Sequence, residues 1–310
     1  MNADGIGLVG PGKIARDQHL PAIAADPAFR LAAVTSRRGL TEAGTAGYTD
    51  HRDMLRSPDV AAVVVCTPPA AHYEVARDAL RAGRHVLLEK PPTTTLGELD
   101  ELARLAEACG RTLFATWHAR HNPAVEEARA ILAGRTVRAM RVTWKEDVRR
   151  WHPGQAWIWQ PGGFGVFDPG INALSIATRI LPGPILVDAA ELAYPANRDA
   201  PIAARLRFRP PEGEADLRAE FDWRQTGPQT WDIVVETEDG STLRLSGGGR
   251  RLDVDGACLV DAPSREYPLI YECFARLIAE GRSDVDAGPL RLVADAFTIA
   301  RRSVAEPFDD

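Results

Sequence analysis

A lysine held between a glutamate and two prolines is the first group in this sequence that is suited to catalysis. Glu89-Lys90-Pro91-Pro92 lies at the end of an apolar run that begins at His85, and the prolines restrict the backbone beside the lysine. Partial desolvation and a neighbouring positive charge both disfavour the ammonium form of a lysine, so they lower its pKa and allow the neutral amine to act as a base. Lys90 is therefore a candidate base, or a cation that stabilises a developing alkoxide.

Asp168 and Asn172 form a second pair that could act in chemistry. They are four residues apart, so they share one face of a helix that begins near Asp168. Because Asp168 precedes Pro169, it also fits the N-cap position of that helix, with the proline at the first helical position. Both interpretations can hold: the carboxylate can cap the helix and also accept or relay a proton. An asparagine amide takes no proton at neutral pH, so Asn172 can only orient a substrate.

A glycine-rich turn near the N-terminus predicts a dinucleotide site. The apolar run Ile6–Val9 leads into Gly10-Pro11-Gly12-Lys13-Ile14-Ala15, which matches G-x-G-x-x-A and precedes a helical pattern. The first glycine permits the tight turn, the second lets the backbone approach a pyrophosphate, and the alanine allows close packing of helix on strand. The start of the helix then supplies N–H donors to the phosphates.

The end of the second predicted strand indicates which dinucleotide is bound. After Leu31–Val34 comes Thr35-Ser36-Arg37-Arg38, where a site specific for NAD would usually carry an acidic residue for the ribose 2′-hydroxyl. Ser36 and Arg37 can instead contact a 2′-phosphate. The sequence therefore predicts that NADP is accepted and favoured over NAD.

Two more strand-and-helix units follow, beginning with the apolar runs Val60–Cys66 and His85–Glu89. This alternation predicts a doubly wound parallel sheet, an α/β fold whose ligands collect at the carboxyl ends of the strands. Thr67-Pro68-Pro69 and Lys90 occupy such ends. From about residue 120 the pattern changes to a helix, Pro123–Leu132, and then to short alternating strands.

The chain is accordingly expected to contain two domains. Residues 1–120 form a dinucleotide-binding Rossmann domain, and residues 121–310 form an α+β domain with an open, largely antiparallel sheet. The last helix is expected to be able to pack back on the first domain. The three glycines Gly247–Gly249 are not a second phosphate loop, because strands rather than a helix follow them.

Composition excludes several classes of partner. The 310 residues carry 37 basic and 43 acidic side chains, a net charge of −6, so no basic field attracts nucleic acid or anionic lipid. No apolar stretch is long enough to span a membrane, and the N-terminus lacks the pattern of a signal peptide. Four scattered cysteines without a C-x-x-C pair fit a reducing compartment. We expect a cytoplasmic protein with a small-molecule partner.

Several motifs together carry a family resemblance. They are Gly10-x-Gly12-x-x-Ala15, Thr67-Pro68-Pro69 with His72, Glu89-Lys90-Pro91, and Gly162-Gly163 followed by Asp168-x-x-x-Asn172. These motifs resemble the glucose-fructose oxidoreductase and inositol dehydrogenase family, and the resemblance extends over essentially the whole chain. Residues 144–154 and 167–175 are similar to those of family members that oxidise aldopyranoses at C1.

The resemblance implies oxidation of a sugar such as L-arabinose or D-galactose to its lactone, with NADP or NAD as hydride acceptor. It also implies a homo-oligomer, a dimer formed through the C-terminal sheet, and a cis bond between Lys90 and Pro91. Much of the wider family has a histidine acid/base at the position of Asn172. The proton must therefore pass to another group, and we expect that group to be Lys90 or Asp168.

Three sets of site residues result from the motifs and the resemblance. The catalytic set is Lys90, Asp168 and Asn172. The cofactor set is Gly10, Gly12, Lys13, Ile14, Ser36, Arg37, Arg38, Cys66, Thr67, Pro68, His72, Glu89, Lys90 and Trp159. The substrate set is Lys90, His118, Glu146, Trp151, Asp168, Asn172 and Trp231, in which aromatic faces and hydrogen-bonding groups would bind the sugar.

Other functions fit parts of the pattern less well. An inositol or other cyclic-polyol dehydrogenase is disfavoured by Asn172. A non-catalytic, dinucleotide-sensing regulator is disfavoured because Lys90 and Asp168 are both present. A metal site built on His118 and His121 lacks a third ligand nearby, so we expect no metal.

Replacement of Arg37 tests the cofactor prediction. Arg37→Ala is expected to lower kcat/KM for NADP much more than for NAD, because only NADP carries the 2′-phosphate that the guanidinium can pair with. The measurement is kcat/KM for both cofactors in the wild-type and variant proteins. Equal losses for NADP and NAD would contradict this assignment.

Overall fold

The protein forms two compact units. The structure, a computed structural model, describes residues 3–39, 41–42 and 44–309. Unit 1 comprises the chain up to His118 together with Glu266–Ala287, and unit 2 comprises Ala119–Arg265 together with the chain from Gly288 onward.

The described residues form two sets of strands. Strands β1 to β6 are Asp4–Val9, Phe29–Thr35, Ala46–Tyr48, Ala62–Val65, His85–Leu88 and Leu113–Ala115. Strands β7 to β15 are Val137–Lys145, Leu186–Pro195, Ala203–Arg209, Asp216–Asp222, Thr230–Thr237, Thr242–Ser246, Arg251–Val254, Ala257–Asp261 and Arg301–Ala305.

The helices connect these strands and cover the sheets. Helices α1 to α9 are Leu20–Ala25, His51–Met54, His72–Arg81, Leu96–Cys109, Pro123–Leu132, Val148–Trp151, Phe167–Ile180, Glu266–Glu280 and Gly288–Ile299. Helix α1 continues a π-helical turn, Ala15–His19, so that residues 13–25 are helical throughout. Within the part of the chain that is described, no helix is both long and apolar enough to cross a membrane.

Unit 1 contains the predicted Rossmann sheet. Its six strands are all parallel and run in the order β3-β2-β1-β4-β5-β6. Apolar side chains from α3 and α4 cover one face of this sheet. The other face, which includes Ile6, Leu8 and Leu87, is covered by α1 and α8. The prediction of a doubly wound parallel sheet is confirmed.

Helix α8 lies in unit 1 although it follows all but the last strand of unit 2 in the chain. Its buried residues Ile270, Phe274 and Leu277 pack against the strands of the first sheet. Because a parallel sheet must be covered on both faces, this helix supplies packing that the first 118 residues do not provide. The sequence predicts a second domain of residues 121–310, from which the last helix can pack back on the first domain. The helix in unit 1 is instead the penultimate one, while α9 packs against α7 and β8 in unit 2.

Unit 2 contains a nine-stranded mixed sheet in the order β14-β13-β12-β11-β7-β10-β9-β8-β15. Among the described strands of this second sheet, only the pairs β7–β10 and β8–β15 are parallel. The predicted open, largely antiparallel sheet is therefore confirmed. Helices α5 and α7 pack together, and α7 contacts β7 and β11. The strands β3 and β6 of the first sheet and β8, β9, β14 and β15 of the second are not predicted from the sequence.

Candidate active site

The glycine-rich turn connects β1 to the first helix. Gly10 has a φ of 84°, and a Cβ at this position would lie 2.9 Å from the backbone nitrogen of Thr67, so only glycine fits. A Cβ on Gly12 would meet nothing closer than 3.9 Å. Gly12, Lys13 and Ile14 are exposed at the start of the helix. This open turn at a helix start fits the pyrophosphate of a dinucleotide.

The predicted NADP-reading residues follow β2. The Gly39 N–H donates to the Ser36 carbonyl oxygen at 2.9 Å, which closes a turn with Arg37 and Arg38 at its centre. Both arginines are exposed. The turn therefore presents two guanidinium groups at the strand end where the adenosine ribose of a dinucleotide lies in a Rossmann fold.

His72 connects the two loops that carry the next predicted cofactor residues. Its ring is buried, with Nε2 2.7 Å from the Thr67 carbonyl oxygen and Nδ1 3.1 Å from the Pro91 carbonyl oxygen. Burial lowers the pKa of His72 below its usual value, and the carbonyl oxygens oppose that effect. The described contacts of this ring are to protein backbone, so it joins the end of β4 to the segment after Lys90. Cys66 and the exposed Pro68 flank Thr67 at the same strand end.

A buried carboxylate precedes Lys90. Glu89 is 5% exposed. Its Oε1 accepts a hydrogen bond from the Tyr267 hydroxyl at 2.8 Å and lies 2.9 Å from His19 Nε2, while its Oε2 accepts from the Lys90 backbone N–H at 2.9 Å. Burial alone would raise the pKa of Glu89, but the contact with His19, the nearby His118 ring and the hydrogen bond from Tyr267 hold it at about 2. Glu89 therefore remains a carboxylate.

Lys90 and His118 lie close to this carboxylate. The Lys90–Pro91 peptide bond is cis, as the resemblance implied. His118 Nδ1 is 3.2 Å from Glu266 Oε1, and its ring stacks on Tyr267 at 5.9 Å. Although burial opposes its charge, Glu266 raises the pKa of His118 above its usual value. His118 is thus part of the polar cluster of unit 1, whose charges also include Glu89 and Lys90.

Asp168 does not cap helix α7, contrary to one interpretation of the sequence. The N-cap is Val166, and no side-chain cap bond forms. The helix begins before the aspartate because a helical turn has already formed over residues 164–168. In this turn the Phe167 N–H donates to the Phe164 carbonyl oxygen at 3.1 Å, and the Asp168 N–H donates to the Gly165 carbonyl oxygen at 2.8 Å. The Asp168 carboxylate, 4% exposed, instead lies 3.4 Å from Nε2 of His152. Asn172 follows one turn later and is partly exposed.

Glu146 is the second buried glutamate of the site residues, and it holds two tryptophans in unit 2. Its Oε2 accepts from the Trp231 indole N–H at 2.9 Å, and its Oε1 accepts from the Trp223 indole N–H at 3.3 Å. Glu146 is 5% exposed. If Glu146 binds sugar hydroxyls as expected, its carboxylate must accept their hydrogen bonds in addition to those from the two indole N–H groups.

The aromatic residues around Glu146 form a connected group. The rings of Trp151 and Trp231 are 5.5 Å apart, and the Trp151 N–H donates to Gln229 Oε1 at 3.3 Å. Trp159, predicted to contact the cofactor, is 3% exposed and packs edge-on against Trp223 at 5.3 Å. Its role toward the cofactor stays a prediction.

Three residues of this group were not assigned from the sequence: His152, Trp223 and Gln229. His152 packs against Trp223 at 5.3 Å and contacts Asp168. Its only sequence signal is its position directly after Trp151. Trp223 lies just beyond the end of β10, and Gln229 lies in a loop before β11, where residue type alone gives no signal. Within the described ranges, no three His, Cys, Asp or Glu side chains group as metal ligands.

Comparisons with known proteins agree with this geometry. Residues 5–116 match the model of the GFO/IDH/MocA oxidoreductase family, described as having an NAD-binding Rossmann fold. Galactose 1-dehydrogenase of Pseudomonas fluorescens is 46% identical over 306 residues, which cover 98% of each chain. The chain therefore belongs to this oxidoreductase family, and unit 1 is its dinucleotide-binding fold.

Solved structures show the same relationship. The crystal structure of a D-galactose 1-dehydrogenase protein from Rhizobium etli is 53% identical, with a TM-score of 0.94 over 100% of this chain and 99% of that one. A 3-ketoreductase from Actinomadura kijaniata in complex with NADP has a TM-score of 0.82, covering 98% of this chain and all of its own. At 21% identity it supports the fold alone.

The depressed pKa of Glu89 predicts a pH-dependent stability. A carboxyl whose folded pKa is about 2, against an ordinary 4.5, stabilises the fold above pH 4.5 and loses that stabilisation as pH falls toward 2. The shift corresponds to about 3 kcal/mol in the free energy of unfolding. The stability gap between the wild-type protein and Glu89→Gln should thus narrow from pH 6 to pH 3 in urea titrations. A gap that does not change with pH would contradict an ionised Glu89.

Proposed function

We propose that this protein oxidises D-galactose, or a similar aldopyranose such as L-arabinose, at C1 to the lactone with NADP or NAD. The observation that carries the proposal is the identity of 46% over 98% of both chains with a galactose 1-dehydrogenase. The similarity at 53% identity to a solved D-galactose 1-dehydrogenase protein supports it. The aromatic group around Glu146 adds support, because sugars bind to aromatic faces and planar hydrogen-bonding groups.

The bound dinucleotide would accept the hydride from C1, and the protein must take the proton from the C1 hydroxyl. We assign contact with the reacting oxygen to Lys90, whose amine takes the proton or stabilises the developing alkoxide. Asp168 is the alternative proton acceptor. Its neighbour His152, with Nε2 3.4 Å from the carboxylate, is a group to which the proton can pass.

The sugar would bind to unit 2 residues whose orientations are fixed by contacts with each other, such as those of Trp231 with Glu146 and Trp151. Trp151 and Trp231 supply apolar ring faces, and Asn172, one helical turn from Asp168, donates or accepts hydrogen bonds to hydroxyls. D-galactose and L-arabinose differ chiefly by the C6 hydroxymethyl group. A group of that size is discriminated by pocket shape and changes binding by only about 1–3 kcal/mol, so both sugars are proposed substrates.

NADP is the proposed preferred cofactor. The support is local: Ser36, Arg37 and Arg38 occupy the turn after β2, and no carboxylate lies between residues 35 and 39. An exposed guanidinium can pair with a 2′-phosphate in two parallel hydrogen bonds. An acidic side chain at this turn would instead have favoured NAD.

The experiment is a panel of initial rates with D-galactose, L-arabinose, D-xylose, D-glucose and myo-inositol, each with NADP and NAD. The expected result is turnover of D-galactose or L-arabinose with a higher kcat/KM for NADP. Lys90→Ala should abolish turnover while cofactor binding persists, because the lysine acts on the reacting oxygen. Preferential turnover of myo-inositol would indicate a cyclic-polyol dehydrogenase instead. No turnover of any of the five compounds, despite tight NADP binding, would favour a non-catalytic, dinucleotide-sensing regulator.

We propose further that the protein is a cytoplasmic homodimer that associates through the exposed face of the nine-stranded sheet. This face presents charges of both signs on neighbouring strands, so it can be complementary to a second copy of itself across a two-fold axis. They include Arg141, Arg205, Arg207, Arg218, Glu191 and Glu220. The four cysteines are free thiols, as a reducing compartment favours.

Light scattering tests the association. The expected mass is twice the 33.7 kDa of one chain. The charge reversal Arg207→Glu should shift it toward the monomer, because it replaces a positive charge with a negative one on a face that already carries Glu191 and Glu220. A wild-type mass of one chain at micromolar concentration would contradict the dimer.

A further inference from the structure

Two side chains from distant parts of the chain contact the Glu89 carboxylate. His19 belongs to the helical segment that follows the glycine-rich turn, and Tyr267 belongs to α8. Both contact Oε1, His19 Nε2 at 2.9 Å and the Tyr267 hydroxyl at 2.8 Å. The second ring nitrogen of His19 lies 2.9 Å from the Tyr271 hydroxyl. The carboxylate therefore links three elements of unit 1.

The other oxygen of the same carboxylate contacts the backbone of Lys90. Oε2 accepts the Lys90 N–H at 2.9 Å, so the orientation of Glu89 and the direction in which the lysine leaves the strand end are coupled. His19, at 0% exposure, and Tyr267, at 3%, are enclosed. Their rotamers are fixed by packing, and through them the rotamer of Glu89 is fixed as well.

Stability alone does not account for this arrangement. Removing a carboxylate from water is costly, and well-packed apolar residues of similar volume are often at least as stabilising. A buried polar network does, however, specify one conformation. The conformation specified here is that of the segment carrying the proposed base.

We propose that His19 and Tyr267 are positioning residues for Lys90 and act on it through the buried Glu89 carboxylate. The segment 266–287 then does more than cover the sheet, because its first turn completes the placement of a group that the first 118 residues carry. The kinetic part of this inference rests on the proposed function, whereas the structural part does not.

Tyr267→Phe is the main test, because it removes one hydroxyl and keeps the buried ring. We expect kcat to fall, by about tenfold to a hundredfold if the lysine shifts by up to 1 Å. The KM for sugar and the dissociation constant for NADPH should change much less than kcat, since the glycine-rich turn and the unit 2 residues, which supply most of the predicted contacts, are unaltered. The measurements are steady-state kinetics and fluorescence titration with NADPH.

Thr116→Val is the matched control. The Thr116 hydroxyl, also buried, donates to the Leu88 carbonyl oxygen at 2.9 Å, and the backbone N–H of Thr116 donates to the same oxygen at 2.9 Å. The variant removes a buried hydroxyl beside the same strand while the strand pairing remains. It should lower the melting temperature much as Tyr267→Phe does, with kcat close to wild type.

His19 is tested with two replacements. In His19→Leu the donor to Glu89 is lost, and kcat should fall as in Tyr267→Phe. In His19→Gln the side-chain amide can reach the carboxylate and donate, so this conservative variant should recover part of the lost kcat. A variant that does not fold leaves Tyr267→Phe to decide.

The position of Lys90 is also measurable without turnover. The chain has three lysines, Lys13, Lys90 and Lys145, so acylation by an amine-selective reagent can be read at each one by mass spectrometry. The ratio of labelling at Lys90 to that at the exposed Lys13 should rise several-fold in Tyr267→Phe and not in Thr116→Val. An inactive wild-type protein would overturn the proposed function but would leave this measurement valid.

Two results would overturn the positioning role. One is a Tyr267→Phe protein with the same kcat and Lys90 labelling as Thr116→Val. The other is a loss of kcat in Tyr267→Phe that comes with an equal-fold loss of NADPH affinity and with a fall in melting temperature well beyond that of Thr116→Val, which would show that the hydroxyl supports only the fold.

Discussion

The ionised, buried carboxylate of Glu89 is the constraint on which the organisation of unit 1 depends. A carboxylate at this depth is tolerated only when donors surround it, and its donors come from the helix after the glycine-rich turn, from α8 and from the backbone of Lys90. The dinucleotide turn, the proposed base and the returning helix are thereby connected by hydrogen bonds to one group. His72 also supports the segment after Lys90, because its ring contacts the carbonyl oxygens of Pro91 and Pro92.

Unit 2 also contains a buried carboxylate that is surrounded by hydrogen-bond donors, but there it orients different groups. Glu146 is also a buried carboxylate, but its donors are the indole N–H groups of Trp223 and Trp231. The charge therefore fixes the orientation of aromatic rings rather than of a backbone segment. Because Trp231 in turn packs against Trp151, one carboxylate orders the apolar surface that is proposed to bind a sugar.

Helix α7 shows how a backbone detail decides the role of a residue. Since the helix begins before Asp168, the carboxylate is not used as a cap and is directed toward His152. This pairing bears on the position of Asn172, where the resemblance implies a histidine in much of the wider family. An imidazole is present beside Asp168 after all, but it comes from the short helix α6 and its flanking turn, twenty residues away from Asn172 along the chain.

The sequence by itself determined both fold classes and the strand-end positions of the site. The glycine-rich turn, the alternation of strands and helices, and Lys90 between Glu89 and Pro91 are local signals that adjacent residues enforce. The tertiary structure decided what depends on distant partners. Helix α8 returns to unit 1 because one sheet face needs cover, and Glu89 is ionised because His19 and Tyr267 meet it across 70 and 178 residues. Contacts over such separations leave no periodicity or spacing in one sequence, and so His152, Trp223 and Gln229 also became evident only in the folded chain.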